Sequence, residues 1–275
     1  MIQVGEITVG GDRPVIIAGP CAVESREVAF ETAEKAKQLT AKYNFPFIFK
    51  SSYKKANRLS GDSFATIGDR EALRILAEVR EVYVVPVITD VHSVDEVVTA
   101  AEVADILQIP AFLCRQTDLV IAAARTGKPV NIKKGQFMAP EDMGEIAKKA
   151  TATGNNKVML TERGTFFGYH NLVVDFRSLI IMKELGYPVI FDSTHSLQLP
   201  SGSGIQSGGQ PQFVIPFAKA AAAIGIDGLF LEIHPDPSSA LCDAASMLHL
   251  DHFESYLQAV DQIISRRDAN ASSDS

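Results

Sequence analysis

The sequence predicts a closed (β/α)8 barrel preceded by a short N-terminal hairpin, and three observations lead there. Eight short β-branched or aromatic runs recur, starting from residue 14 to residue 227 in seven steps of about 30 residues, the size of one βα unit. The runs are nearly continuously apolar, as parallel strands covered on both faces are. Each run ends in polar or charged residues, which is where a barrel gathers its chemistry. Eight such units in about 250 residues favour closure, with an open doubly wound sheet as the alternative.

In chain order, residues 2–13, with Gly10-Gly11-Asp12, read as a hairpin that plugs the barrel's N-terminal end. The first strand is Pro14–Pro20, carried by Val15-Ile16-Ile17, and the helical spacing of Val28–Leu39 follows it. Pro46–Ser51, built on Phe47-Ile48-Phe49, leads to the amphipathic segment Ala72–Val82. Val84–Asp90, Ala104–Ile109 and Pro129–Lys133 are the next three strands, and Glu141–Ala150 follows the last as a helix. Lys157–Thr161 pairs with the helical pattern Leu179–Leu185, and Pro188–Ser193, with Val189-Ile190-Phe191, with Pro216–Ile224. Asp227–His234 is the eighth strand. The polar tail Ser265–Ser275 is expected to fray. No stretch rich in Pro, Gly or Ser divides the chain, so residues 1–275 read as one domain.

The chain has 275 residues, 46% hydrophobic and 21% charged, enough for a large core without disulfide or metal staples. Its 26 Lys and Arg against 33 Asp and Glu leave a net charge of −7. That excess of acid opposes a general nucleic-acid or anionic-membrane surface, but says little about one local cleft. Cys21, Cys114 and Cys242 are too few and too scattered for a disulfide framework and suggest a reducing, cytoplasmic setting. No secretory leader is read, and the longest apolar run, Phe217–Ile224, carries Lys219 and falls far short of a membrane span.

The strand ends carry the functional signal. Cys21 and Glu24 follow the first strand, and Lys50, Ser52, Lys54, Lys55, Asn57 and Arg58 the second. Asp90 and His92 follow the third, Gln108 and Arg115 the fourth, and Lys133 and Lys134 the fifth. Glu162 and Arg163 follow the sixth, Asp192 and His195 the seventh, and Glu232, His234 and Asp243 the eighth. One polar strand end merely meets water; eight of them, rich in cations within an acidic protein, point to a site. Lys50, Lys55, Arg58, Arg115, Lys133 and Arg163 suit substrates with more than one anionic group, although some of them are expected to pair with Asp90, Asp192 or Glu162.

A second subset, Cys21, His195, Glu232, His234 and Asp243, lies where the barrel would close. Its mixed S, N and O donors suit a divalent metal such as Zn2+, Fe2+ or Mn2+. The alternative is that Cys21 is a small buried hydrophobe. Cys114 and Cys242 read as packing residues. The glycine-rich segment Ser201–Gly209 reads either as a loop that closes over a phosphate or as a plain flexible loop.

The motifs AGPCAVES (Ala18–Ser25), KSSYKKANR (Lys50–Arg58), ITDVH (Ile88–His92), QIPAFLCRQTDL (Gln108–Leu119), NIKKGQF (Asn131–Phe137), TERGTFFGYHNLVVD (Thr161–Asp175), FDSTHSLQLP (Phe191–Pro200) and EIHPDPSSALCDA (Glu232–Ala244) resemble the 3-deoxy-D-manno-octulosonate 8-phosphate synthases. The resemblance runs from about Val15 to Leu250, in order at every strand end. It implies a (β/α)8 enzyme that condenses phosphoenolpyruvate with D-arabinose 5-phosphate and water, releasing phosphate, on the route to Kdo and lipopolysaccharide. It implies that Lys50, Ser52, Lys55 and Gln108 hold the phosphoenolpyruvate carboxylate. Lys133, Arg163 and the backbone at Ala111 would hold its phosphate. Asn57, Arg58, Ser207 and Arg115 of a neighbouring subunit would hold the sugar phosphate, which implies a homotetramer. Lys50, Lys55, Asn57, Asp90 and His195 are the residues expected to act on the reacting groups. Cys21 in the first motif marks the metal-dependent branch, with Cys21, His195, Glu232 and Asp243 as ligands and His234 as a neighbour.

The related 3-deoxy-D-arabino-heptulosonate 7-phosphate synthases have Lys-Pro-Arg-Thr where this chain has Lys55-Ala56-Asn57-Arg58, so arabinose 5-phosphate is favoured over erythrose 4-phosphate. A barrel that binds sugar phosphates without catalysis, and a metal-dependent aldolase that does not use phosphoenolpyruvate, are the competing functions. Lys54, Leu59, Asp62, Ala65 and His170 depart from the family pattern, which bears on the finer sugar contacts.

Overall fold

A computed structural model describes residues 1–56, 64–166, 170–203, 206–242 and 244–273, with backbone alone at 201–203, 206–207 and 271–273. Eight parallel strands form the barrel: β1 (Val15–Gly19), β2 (Phe47–Lys50), β3 (Val87–Asp90), β4 (Ile106–Ile109), β5 (Val130–Lys133), β6 (Val158–Glu162), β7 (Val189–Asp192) and β8 (Gly228–His234). Each pairs with the next in sequence, and β8 pairs with both β7 and β1, which closes the sheet and excludes the open alternative. Helices α1 (Arg26–Lys42), α2 (Asp69–Tyr83), α3 (Val94–Val103), α4 (Thr117–Arg125), α5 (Met143–Thr151), α6 (Arg177–Glu184), α7 (Val214–Ile224) and α8 (Phe253–Ser273) follow the strands in turn.

Strand alternation sorts the side chains into two sets. Ile16, Phe49, Val87, Leu107, Val130, Leu160, Phe191 and Leu229 face the helices in the outer core. Val15, Ile17, Ile48, Ile88, Ile106, Met159, Ile190 and Phe230 fill the barrel's lower interior. The N-terminal hairpin (Ile2–Val4 with Ile7–Val9) sets Ile2, Val4 and Val9 against this cluster and plugs the barrel from below. Its turn falls at Gly5-Glu6, where Gly5 takes φ +57°.

Two segments differ from expectation. The glycine-rich stretch after β7 forms an antiparallel ribbon, Gln198–Ser203 against Gln206–Gly209, rather than an unstructured loop. The polar tail continues α8 to Ser273, because Tyr256, Leu257, Val260 and Ile264 anchor the helix that leads into it.

Candidate active site

Two residues above each inward apolar side chain of the lower layer, the next inward position is polar on most strands. Ile48 is followed by Lys50, Ile88 by Asp90, Ile106 by Gln108, Met159 by Thr161, Ile190 by Asp192 and Phe230 by Glu232. These residues, with Asn131 and Lys133 of β5, are buried and roof the interior at the C-terminal face.

Lys50 lies at the centre, about 1% exposed. Its Nζ donates to Glu232 Oε1 at 3.0 Å and to the Cys21 carbonyl at 3.1 Å, and sits 3.8 Å from Asp90 Oδ2. Burial works against the ammonium and Lys55 repels it, but Glu232, Asp90 and Cys21 outweigh both and raise its pKa. The Cys21 carbonyl also accepts the Ser52 N–H, which ties the end of β1 to β2. Gly19 allows that junction, since a Cβ there would stand 2.0 Å from the Lys50 carbonyl oxygen. Lys55 Nζ is 3.9 Å from Glu232 Oε1.

On the opposite wall Lys133 Nζ is 2.5 Å from Asp192 Oδ2 and 4.2 Å from the centre of the Phe230 ring. Burial, with Arg163 and Lys50 nearby, lowers the Lys133 pKa although Asp192 pulls the other way. Asp192 is fully buried, yet His195 and Lys133 hold its carboxyl well below the usual range. Asp90 is likewise held low against its burial by Lys50, Lys55, His92 and Lys133. Arg163 is buried at the end of β6 and donates to Gln198 Oε1 at 2.9 Å.

Asp192 also orients His195. Its Oδ2 lies 2.8 Å from His195 Nδ1, and its Oδ1 accepts the backbone N–H of Thr194 and His195. A proton on Nδ1 bound to Asp192 leaves the Nε2 lone pair facing Glu232 Oε1 at 3.4 Å. Two lone-pair donors facing each other suit a cation between or beside them, so this nitrogen and oxygen fit a divalent metal. Cys21 is fully buried at the neighbouring strand end. Among the described residues no group of three His, Cys, Asp or Glu closes a shell, and Asp243 lies outside them. His234 is turned to Glu24, with Nε2 3.4 Å from Oε2, and its Nδ1 accepts the Asp236 N–H.

The structure thus brings Cys21, Lys50, Ser52, Lys55, Asp90, Gln108, Lys133, Arg163, His195 and Glu232 to one mouth, with Ala111 buried in the turn after β4. Arg115 is exposed beyond that turn and stands apart from the cluster. Asn57, Arg58 and Asp243 lie outside the described residues, as does the side chain of Ser207. Lys134 and Glu162 also leave the site: they form a buried pair at 3.4 Å behind the mouth, with Ser178 and Thr165. Of the departing positions, Lys54 pairs with Glu96 at 3.2 Å and Asp69 at 3.6 Å. Leu59 and Asp62 lie outside the described residues, and Ala65 contributes its carbonyl to the Lys55 N–H.

Sequence reasoning missed Asn131, Thr161 and Phe230. Phe230 is the aromatic floor under Lys50 and Lys133, and Thr161 and Asn131 continue the hydrogen bonding that starts at Asp90. The available signal was their place two residues from Glu232, Lys133 and Met159 on the same strands.

Fold and site together define a (β/α)8 barrel whose C-terminal mouth interleaves buried lysines and an arginine with carboxylates. The chain belongs to the DAHP synthetase I family, whose model matches residues 1–268. It is 53% identical over 267 residues to a 2-dehydro-3-deoxyphosphooctonate aldolase of Geotalea uraniireducens, covering 96% of this chain and 98% of that protein. The proteins of the same name from Geobacter sulfurreducens (51% over 267 residues; 96% and 98% covered) and Acidithiobacillus ferrooxidans (53% over 256 residues; 92% and 91%) are similar. Among the described residues no helix is long and apolar enough to cross a membrane.

Proposed function

We propose that this chain condenses phosphoenolpyruvate with D-arabinose 5-phosphate and water to form 3-deoxy-D-manno-octulosonate 8-phosphate and phosphate. It shares more than half its residues, over nearly full length, with proteins named for that product's aldolase activity. The structural observation that carries the reading is the cluster of Lys50, Lys55, Lys133 and Arg163 at one barrel mouth, interleaved with Asp90, Asp192 and Glu232.

In this reading Lys50, Ser52, Lys55 and Gln108 seat the carboxylate of phosphoenolpyruvate, and Lys133, Arg163 and the Ala111 backbone seat its phosphate. Held so, C3 faces the aldehyde, and its electron pair forms the new carbon–carbon bond while the aldehyde oxygen takes a proton. Water adds its oxygen to C2, the C–O bond to phosphate breaks, and the phosphate leaves with charge spread over Lys133 and Arg163. Cys21, His195, Glu232 and Asp243 would hold a divalent ion, which supplies Lewis acidity toward the aldehyde or a bound water. Asp192 orients the His195 ring through Nδ1. Asn57, Arg58, Ser207 and Arg115 of a second subunit would hold the sugar phosphate, in a cytoplasmic homotetramer on the route to Kdo.

Phosphate release from phosphoenolpyruvate, with arabinose 5-phosphate, erythrose 4-phosphate or no acceptor, tests the reading. Release that depends on arabinose 5-phosphate is expected. Equal or faster release with erythrose 4-phosphate would replace the acceptor, and no release with either would leave a sugar-phosphate-binding barrel.

A further inference from the structure

Five buried side chains from neighbouring strands make one hydrogen-bonded belt across the upper barrel. The Thr161 hydroxyl donates to Asn131 Oδ1 at 2.7 Å, and Asn131 Nδ2 donates to Gln108 Oε1 at 2.9 Å. Gln108 Nε2 donates to Asp90 Oδ1 at 2.7 Å, and the Ser52 hydroxyl donates to Asp90 Oδ2. All five are at most 7% exposed.

A primary amide has a donor end and an acceptor end of nearly the same shape, so packing alone does not choose between them. Here the chain of bonds chooses. An ionised carboxylate only accepts, so Gln108 must turn its NH2 to Asp90 and its oxygen to Asn131. Asn131 must then turn its NH2 to Gln108, and its oxygen receives the Thr161 hydroxyl. Reversing any one member sets oxygen against oxygen in a site shielded from water, which is more damaging than losing one bond at the surface.

We propose that Asn131 and Thr161 are positioning residues that fix the Gln108 amide with Nε2 toward Asp90 and Oε1 toward Asn131, and through it the seat of the phosphoenolpyruvate carboxylate. The substrate half of this statement rests on the proposed reaction. Both are fully buried, Asn131 bonded to Gln108 and Thr161 to Asn131, and in this proposal they act through Gln108.

Asn131→Asp keeps the shape and replaces the donor toward Gln108 with an acceptor. It is expected to raise KM for phosphoenolpyruvate about tenfold, the scale of one hydrogen bond to a charged group, and to leave KM for arabinose 5-phosphate within about twofold. Thr161→Val should act in the same direction and Thr161→Ser should restore the native value. A belt reversed from end to end is again complete, so Asp90→Asn combined with Asn131→Asp should unfold at a higher temperature than Asn131→Asp alone, without recovering turnover. Parallel rises in both KM values, an unchanged phosphoenolpyruvate KM, or a Thr161→Ser as impaired as Thr161→Val would each overturn the positioning role. A double variant no more stable than Asn131→Asp would overturn the belt's polarity. If the native protein releases no phosphate from phosphoenolpyruvate with any acceptor, the reaction and the substrate assignment fall together. The stability comparison then still decides the polarity.

Discussion

Lys134→Met isolates the buried ion pair that stands behind the mouth beside Arg163. Lys134 and Glu162 are each about 1% exposed, with Nζ 3.4 Å from Oε1. Lys134 also donates to Thr165 Oγ1 at 2.9 Å and to the Met138 carbonyl at 3.3 Å, while Glu162 accepts the Gly164 N–H and the Ser178 hydroxyl. The variant leaves Glu162 charged in the interior without its cation, which costs about 3–5 kcal/mol. A 275-residue chain that gains about 2.1 cal/mol/K per residue on unfolding has an entropy near 0.6 kcal/mol/K, so the melting temperature should fall by about 5–9 °C. Because Thr165 and Gly164 adjoin Arg163, KM for phosphoenolpyruvate should rise as well. Lys134→Met/Glu162→Gln removes both charges and should recover part of the loss. Thermal unfolding of the native protein, both single variants and the double variant gives the coupling directly. A fall below about 2 °C in Lys134→Met, or a double variant no better than it, would refute the reasoning.

Asp192→Asn should reduce metal affinity or turnover about 10–100-fold, since it removes the carboxylate that orients His195; metal retention after dialysis separates the two. Chelator-treated protein is expected to lose phosphate release and to regain it with a divalent ion, and full activity after verified metal removal would exclude the role given to Cys21. Asp90 and Asp192 have folded pKa values below their unfolded value of 3.8. Their stabilisation is therefore complete above that pH and lost as pH falls toward the folded values, so the melting temperature should drop below about pH 4, and less steeply in Asp90→Asn. Ile2→Ala in the hairpin should destabilise by about 2–5 kcal/mol, with both KM values within about twofold of native, because it lies in the lower cluster away from the mouth.

The strands were legible because parallel barrel strands are apolar on both faces and stand out at a regular interval. Most of the mouth was legible because charged residues at strand ends interrupt those runs. Asn131 and Thr161 were less so: their spacing of two from Lys133 and Met159 puts them on the inward face, but nothing along the chain shows which neighbours they meet. That needs register, which the sheet pairings supply. The ribbon of Gln198–Ser203 with Gln206–Gly209 leaves little mark in the sequence, because Gly and Ser carry no strand preference. The tail looked frayed because it is polar, but a helix anchored by Val260 and Ile264 can extend into solvent without burying more.

The charge of the mouth is the point where sequence and structure differ most in meaning. Read along the chain, Lys50, Lys55, Lys133 and Arg163 are a cationic cluster that opposes the protein's net acidity. In the barrel they are interleaved with Asp90, Asp192 and Glu232, three carboxylates for four cations. Burial alone disfavours a charged lysine, and at Lys133 it still prevails in direction. At Lys50 the carboxylates reverse the outcome and keep the ammonium charged. The acids therefore do more than cancel the cations: at Lys50 they offset the burial and the repulsion by Lys55 that work against its charge. Removing one of them leaves its lysine to shed a proton or to lose its position, and either outcome weakens the mouth's hold on an anion. The net charge of −7 and the cations of the mouth are thus parts of one arrangement, in which buried carboxylates bear on both the ionisation and the geometry of those cations.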